Sequence, residues 1–296
     1  MKKALIIMNP KAGKMLAKNA MFDILNAFSE EDYLTSVYLT KAPGEAIKMA
    51  KTGAGKYDLM VCCGGDGTLN EVVRGIISSG KEVSLGYIPA GSTNDFASSM
   101  KIPTDVIKAA TKIAKSEEST LIDAGSFCGE RIFTYIASFG VFTAAAYSVP
   151  QNVKNTLGHF AYVLEGIKDL ASIKPYFVEA TSSDKVYKNN YIFGAVSNSF
   201  SVGGIVKLSK DMVSLNDGKF EVLFVKQPEN AAQMNKILWG LINTDFSDAE
   251  VFDFFKTDAL TLKMPEGVHW TLDGEYEKGR DLVEIKVLPS AIKLVK

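Results

Sequence analysis

Residues 58–71, DLMVCCGGDGTLNE, leave the chain little choice of local structure. Residues 58–63 are an apolar run without polar alternation, the pattern of a strand buried on both faces in a parallel sheet. Beyond the glycines, Leu69, Val72, Val73, Ile76 and Ile77 recur at helical spacing, which predicts a helix over 68–79. The unit is strand, tight glycine turn, helix. Such a turn presents unpaired backbone N–H groups and the positive end of a helix dipole at the carboxyl edge of the sheet, where anions and above all phosphate are stabilised. Asp66 would repel that phosphate unless a divalent cation lay between them, so the turn reads as a site for a nucleotide with Mg²⁺. Gly64, Gly65 and Gly67 are equally what an ordinary tight βα turn requires, and their spacing is neither GxGxxG nor GxxxxGK[ST].

At 296 residues the chain is long for one core, and two domains are expected. A formal charge of −1 gives no support to a nucleic-acid-binding surface. No apolar run reaches the length of a membrane span. Residues 1–8 carry two lysines and a short apolar run that Asn9 and Pro10 cut off, so no signal peptide is expected. The three cysteines, Cys62, Cys63 and Cys128, have neither metal nor disulfide spacing, and the first two read as small apolar fillers of the buried strand. His159 and His269 are too few and too scattered for zinc. The cytoplasm is the expected compartment.

The first domain reads as alternating strands and helices. A buried strand at 3–8 ends in the loop Asn9, Pro10, Lys11, Ala12, Gly13, Lys14, and a helix follows with the apolar stripe Ala17, Ala20, Met21, Ile24 and Phe28. Strand 34–39 ends at Thr40, and helix 43–51, strand 58–63, helix 68–79, strand 83–88 and helix 105–115 (Val106, Ile107, Ala110, Ile113, Ala114) complete the series. This alternation predicts a parallel sheet with right-handed crossovers and ligand loops at the strands' carboxyl ends. The loops 9–14, 64–68 and 91–95, with Thr40, then fall on one edge. The loop 9–14 is a second phosphate candidate through Gly13, its backbone donors, Lys11 and Lys14. It falls short of a P-loop, with Met8 in place of the first Gly and Met15 in place of Ser/Thr, and taken alone it reads first as a solvated turn; its place on the same edge as 64–68 is what favours the functional reading.

From about residue 120 the pattern changes to hairpins. Strands are expected at 121–127, 131–139, 176–181, 186–196, 219–225, 259–264, 269–272 and 282–288. Helices are expected at 154–172, and at 228–243 with the stripe Met234, Ile237, Leu238, Leu241 and Ile242. The fold class is therefore α/β in two domains: an N-terminal α/β nucleotide-binding domain with a parallel sheet over 1–120, and a mostly antiparallel β-sandwich domain over 121–296. The last strand, near 287–296, is expected to run back toward the first domain.

The full string GGDGTLNEV resembles the nucleotide motif of the diacylglycerol kinase catalytic family, which includes sphingosine and ceramide kinases and bacterial lipid kinases. NAD kinases and phosphofructokinases, whose nucleotide-domain fold the resemblance implies, share a shorter GGDG core. Four further strings stand in the family's order along the chain. Asn9–Lys14 is similar to NPxSGxxK, with Ala12 in place of Ser; 89–97 is similar to PxGTxNDFA, with Ser92 in place of Thr. From the residues alone, Asn94 and Asp95 read as helix caps. The stretch 214–220, SLNDGKF, reads alone as a hairpin turn or a turn into a strand. The resemblance implies instead a structural Mg²⁺ held by the Asp217 carboxylate and the carbonyls of Ser214 and Lys219, an all-oxygen set suited to a hard cation. Asp273, Gly274 and Glu275 form another turn by sequence and match the family's DGE.

What the resemblance implies is an ATP-dependent lipid kinase, most simply one that converts diacylglycerol to phosphatidic acid. ATP and Mg²⁺ are the implied cofactors. Nucleotide contacts fall on Asn9, Pro10, Lys11, Ala12, Gly13, Lys14, Thr40, Gly64, Gly65, Asp66, Gly67, Thr68, Leu69, Asn70, Glu71, Ser92, Asn94 and Asp95. Asp66 is assigned to the catalytic Mg²⁺, directly or through water. Phosphoryl transfer to an alcohol needs a carboxylate beside the attacking hydroxyl, and Glu275 is assigned as proton acceptor with Asp273 second. The alternatives are a soluble-substrate kinase of the NAD-kinase type and a catalytically silent lipid- or nucleotide-binding protein. A lipid kinase without a membrane span must meet its substrate at the membrane surface. Helix 154–172, with Phe160 and Tyr162, is one candidate contact, although its stripe reads first as core. No nucleic acid is expected as a partner, and bacterial relatives suggest a homodimer.

Overall fold

The computed structural model describes residues 1–13, 16–141, 174–199, 201–202, 206–208 and 213–296. Lys14, Met15, His159 and the expected helix at 154–172, with Phe160 and Tyr162, lie outside the described residues. The chain divides into two units, one made of Met1–Asp123 and Pro289–Lys296, the other of Ala124–Leu288.

The first unit is built on β1 (Lys2–Met8), β2 (Tyr33–Leu39), β3 (Leu59–Gly64) and β4 (Ser84–Pro89), connected through α1 (Leu16–Asn19), α2 (Met21–Ser29), α3 (Glu45–Gly53) and α4 (Asp66–Ser79). Two more helices, α5 (Asp95–Met100) and α6 (Val106–Lys115), follow β4. The strand order is β2-β1-β3-β4 and every pair is parallel. Ala4 to Met8 of β1 and all of β3 are buried, so both faces of the sheet are covered. The chain steps from β1 outward to β2 and then crosses to β3 on the other side. This makes a topological switch point between β1 and β3, the place where open α/β sheets bind ligands at their carboxyl edge. Helix α3 packs on α4, and their approach is close enough that a Cβ at Gly75 would lie 2.5 Å from the Ala50 Cβ.

Three local expectations are corrected here. The helix after the first loop is two pieces, α1 and α2, which break at Ala20; the buried stripe of α2 is Ile24, Ala27 and Phe28, while Met21 is exposed. Helix α4 starts at Asp66, so Gly64 ends β3, Gly65 stands at the junction, and Asp66 and Gly67 already lie in the helix's first turn. In α6 the buried set is Val106, Ala109, Ala110, Ile113 and Ala114, with Ile107 on the solvent side.

The second unit carries β5 (Ser119–Phe127, which begins in the first unit), β6 (Arg131–Phe133), β7 (Ile136–Gly140), β8 (Tyr176–Ser182) and β9 (Val186–Ser197). It continues through β10 (Ser201–Val202), β11 (Val206–Lys207), β12 (Phe220–Lys226), α7 (Ala231–Asn243), β13 (Phe252–Thr257) and β14 (Ala259–Lys263). The short hairpin of β15 (Trp270–Leu272) and β16 (Glu275–Glu277) precedes the long β17 (Leu282–Val295). The pairs β5–β6, β7–β9, β8–β9, β9–β12, β12–β13, β8–β14, β14–β17, β7–β15 and β15–β16 are all antiparallel. Strand β9 changes partners midway, pairing through Tyr191 with β8 and beyond it with β7 and β12. The enclosed core is aromatic, with Trp270 at 5.2 Å from Phe127 and 4.9 Å from Phe139 between ring centroids. The last residues of β17 join the first unit's sheet, where Lys293–Val295 pair in parallel with Ser84–Gly86 of β4.

Here too the sequence expectations need amending. The run 131–139 is two strands broken at Thr134 and Tyr135, β13 was not foreseen, and α7 starts at Ala231 because the Asn230 side chain caps it by accepting the Gln233 N–H. Its buried residues are Ile237, Gly240 and Leu241, and Ile242 is exposed.

Candidate active site

Backbone contacts draw three loops together at the carboxyl edge of the first unit's sheet. The Asn9 N–H donates to the Cys63 carbonyl (2.9 Å) and the Ala90 N–H to the Gly64 carbonyl (2.8 Å). The Asn9 side chain then works in both directions: its amide donates to Thr68 Oγ1 (3.3 Å), and its Oδ1 accepts the Lys11 N–H (3.0 Å), folding the 9–12 turn. Glycine is required where the loops meet. Gly13 has φ +51°, and a Cβ there would stand 2.5 Å from the Ala90 carbonyl oxygen; a Cβ on Gly91 would stand 2.5 Å from the Gly65 Cα. Helix α4 begins at this junction with no side chain capping it at Gly65. The N–H groups of its first turn, Asp66 to Thr68, can therefore serve an anion. Thr40 lies on the same edge, its N–H on the Met8 carbonyl (2.9 Å), and Lys11 is exposed at the rim.

Several candidate residues here have a positioning role. The Asp66 carboxylate accepts the N–H groups of Asp95 (3.0 Å) and Phe96 (3.2 Å), so it caps α5 and binds the GGDG turn to the 91–95 loop. Burial first, and the neighbouring Asp95 second, push its pKa up to about 6 against those hydrogen bonds. Asn94 does not cap α5 with its side chain. It sits at φ 56° with its amide closed on the Gly91 backbone, Oδ1 accepting the N–H (2.9 Å) and Nδ2 donating to the carbonyl (3.0 Å). Glu71 accepts the N–H groups of Gly44 (2.7 Å) and Ala46 (3.2 Å), which caps α3. The Leu69 side chain is wholly buried and Asn70 nearly so, which makes them footing for the turn. Pro10 and Asp95 are half-buried, Ala12 is buried, and Ser92 is exposed.

In the second unit the two carboxylates of the 273–275 turn occupy opposite environments. Asp273 is 5% exposed, at φ 49°, and accepts four hydrogen bonds: from the Thr134 N–H (2.6 Å) and hydroxyl (2.8 Å), the Tyr135 N–H (3.0 Å) and the Ile136 N–H (3.1 Å). This clasp is the reason the 131–139 run breaks, since those N–H groups leave the ladder for the carboxylate. Every lone pair of Asp273 in the carboxylate plane has a donor. Glu275 has a half-exposed side chain and one contact, Arg131 Nη2 at 3.3 Å; the same guanidinium reaches Glu277 at 3.1 Å. Of the two, Glu275 is the carboxylate open to a substrate proton.

The 214–219 turn leads into β12 beside a third acid. Asp217 Oδ1 accepts the Lys219 N–H (3.1 Å), and Oδ2 lies 3.5 Å from Lys256 Nζ, which also lies 3.1 Å from Glu221 Oε1. Glu221 is 2% exposed, and burial pushes its pKa up to about 7 against the pull of Lys256. Neither of its carboxylate oxygens accepts a hydrogen bond. Among the described residues no cluster of three His, Cys, Asp or Glu side chains forms a metal site. The donor set is nevertheless oxygen throughout, and orphaned buried carboxylate oxygens beside it fit a hard cation. Ser197 connects this turn to the 273–275 turn: it is the cross-strand partner of both Glu221 and Ile136, and its hydroxyl donates to the Tyr135 carbonyl (3.1 Å).

Arg131, Thr134, Ser197, Glu221 and Lys256 were not singled out in the sequence. Only Glu221 carried a signal, a lone acid inside the apolar run 220–225. The partners of the others lie far along the chain, 139 residues away for Thr134 and Asp273. Lys14, a candidate phosphate cation, lies outside the described residues.

Residues 3–127 match the diacylglycerol kinase catalytic domain. The chain is 35% identical over 278 residues to a diacylglycerol kinase of Bacillus subtilis (strain 168), covering 93% of this chain and 90% of that protein. It is 30% identical over 276 residues to one from Staphylococcus saprophyticus, covering 93% and 89%. Among solved structures, one from Bacillus anthracis str. Sterne superposes with a TM-score of 0.83 at 23% identity over 99% of this chain and 96% of the other. A diacylglycerol kinase structure from the same strain gives 0.75 at 22% identity, with the same coverage.

Proposed function

The chain belongs to the diacylglycerol kinase family, and we propose that the alcohol it phosphorylates is diacylglycerol, giving phosphatidic acid. As a member of that family it is a phosphotransferase that uses ATP and a lipid alcohol as acceptor. The observation that carries the choice of acceptor is the extent of the match. The 278 aligned residues run through both units, whereas a GGDG core shared with NAD kinases would account for the first unit only.

In this reading the ATP phosphates rest against the 9–13 loop and the first turn of α4. There the unpaired N–H groups and the helix dipole act on the charge that builds up during transfer. Lys11 adds positive charge from the rim. Asp66 keeps the two glycine loops in register by capping α5, and Asn94 keeps the 91–94 turn closed behind them. Glu275 accepts the proton of the lipid hydroxyl as the hydroxyl oxygen bonds to the γ-phosphorus and the bond from that phosphorus to the β–γ bridging oxygen breaks, releasing ADP. Asp273 acts on this step through the turn: by tying 134–136 to 273 it fixes where Glu275 begins β16. Asp217, with the carbonyls of Ser214 and Lys219, would hold the structural Mg²⁺, and Asp66 is the candidate for the catalytic one. Mg²⁺ when bound supplies charge compensation for the phosphates and for these carboxylates.

Among the described residues no helix is long and apolar enough to cross a membrane. We therefore place the encounter with substrate at a lipid surface. The test is transfer of label from γ-labelled ATP in the presence of diacylglycerol micelles and Mg²⁺. Label extracted into organic solvent that co-migrates with phosphatidic acid supports the reading. Label that reaches another lipid from a total bacterial extract, but not diacylglycerol, overturns the choice of acceptor.

A further inference from the structure

Glu221 is the least satisfied charged group among the described residues. Its side chain is 1% exposed, both carboxylate oxygens lack hydrogen-bond donors, and its one charged neighbour is Lys256 at 3.1 Å. The same ammonium stands 3.5 Å from Asp217 Oδ2. Two carboxylates thus share one ammonium, with Glu221 buried and Asp217 and Lys256 partly exposed beside it. A buried carboxylate in this state is costly, and it is ordinarily retained where a further partner completes it.

We propose that Glu221 and Lys256 form a cation-exchange position next to Asp217. Lys256 Nζ stands in for a hard divalent cation in the metal-free protein and competes with that cation when it binds. Glu221 is then a second carboxylate that raises the affinity of the 214–219 turn for the metal. The inference rests on the Mg²⁺ reading of that turn and goes beyond it. The resemblance assigned one carboxylate and two carbonyls, and neither Glu221 nor Lys256. The ammonium also has a use of its own. It keeps two acids from repelling each other while the site is empty, so the turn is already formed before metal arrives.

The experiment is Mn²⁺ binding to the full chain without nucleotide, followed by electron paramagnetic resonance of free Mn²⁺, with the Mn²⁺-induced rise in Tm as a second readout. Removing the ammonium that stands beside Asp217 and Glu221 takes away a charge that competes with the cation, and Lys256→Met is expected to lower Kd by about tenfold. Glu221→Gln, nearly isosteric, should raise Kd by about tenfold or more. Asp217→Asn is the control and should abolish the binding. If Asp217→Asn abolishes binding while both other variants match the wild type, the exchange position is wrong and the Mg²⁺ reading survives. If the wild type binds no Mn²⁺, or Asp217→Asn binds as well as wild type, the Mg²⁺ reading fails and the proposal with it. Should Glu221→Gln not fold, Lys256→Met, altering a partly exposed side chain, decides alone: an unchanged or weaker affinity refutes the competition.

Discussion

Asp273→Asn should unfold the 273–275 turn more than it alters the chemistry, and the loss can be worked out from its hydrogen bonds. Oδ2 accepts both Thr134 donors and Oδ1 accepts the N–H groups of Tyr135 and Ile136. An amide has one acceptor oxygen. In its better orientation that oxygen keeps Tyr135 and Ile136, and the Thr134 hydroxyl can rotate to accept from the new NH₂. The Thr134 N–H is left facing a donor in a buried site, which costs about 1–3 kcal/mol. The two retained bonds lose charge assistance, about 1 kcal/mol each. The sum is about 4 kcal/mol. For a unit of this size about 2–4 °C of Tm follows each kcal/mol, so a drop of roughly 8–16 °C is expected by circular dichroism. Glu275→Gln is the comparison, because an exposed ion pair is worth about 0–1 kcal/mol and its Tm should barely move. An Asp273→Asn protein that melts within about 2 °C of wild type would refute the clasp and return Asp273 to candidacy as the base.

Three further outcomes are expected. Gly91→Ala forces a Cβ to within 2.5 Å of the Gly65 Cα, so the two loops must part; kcat/KM for ATP should fall by about 10²-fold, read from the ATP dependence of the rate. Glu71→Gln should weaken the cap on α3 by about 1 kcal/mol and leave KM for ATP unchanged, whereas a raised KM would make Glu71 a nucleotide contact after all. Asp66 binds its proton more tightly folded, at about 6, than an ordinary carboxyl does unfolded, near 4. Its stabilising contribution is thus full below about pH 4 and lost as pH rises through about 6, a decline of about 2–3 kcal/mol. A Tm series from pH 4 to 7 should show this decline in wild type, and Asp66→Asn should flatten it.

The parallel sheet was legible because its strands are apolar without interruption, as at 3–8 and 58–63, and because glycine turns follow them at regular intervals. What escaped was everything fixed by distant partners. The 131–139 run has the composition of one strand, and only the Asp273 carboxylate, far along the chain, breaks it. Asn94 and Asp95 carry cap-forming side chains, yet the cap on α5 comes from Asp66, which took the nearby backbone donors first. Strand β17 runs through Pro289, a residue that argues against a continuing strand. Pro289 follows the ladder with β14, which ends at Lys286, and precedes the ladder with β4, which starts at Lys293, while β5 is a further partner of β17. The β13 segment FDFFKT shows no clean alternation because it carries aromatics on both sides, Phe255 against the core and Phe252 and Phe254 against Phe246. At the candidate site the motifs marked which turns matter. Within those turns Asp273, Glu71 and Asn94 hold backbone groups by hydrogen bonds, whereas Glu275 is half-exposed and the first turn of α4 has no side-chain cap.

The most direct test of the account is label transfer from γ-labelled ATP to diacylglycerol, measured for wild type and Glu275→Gln at matched folding. The expected result is radioactive phosphatidic acid from the wild type and a rate lower by about 10²–10⁴-fold in the variant, with Tm unchanged. A Glu275→Gln enzyme that keeps near-full transfer, or a wild type that leaves the label in the aqueous phase, would contradict it.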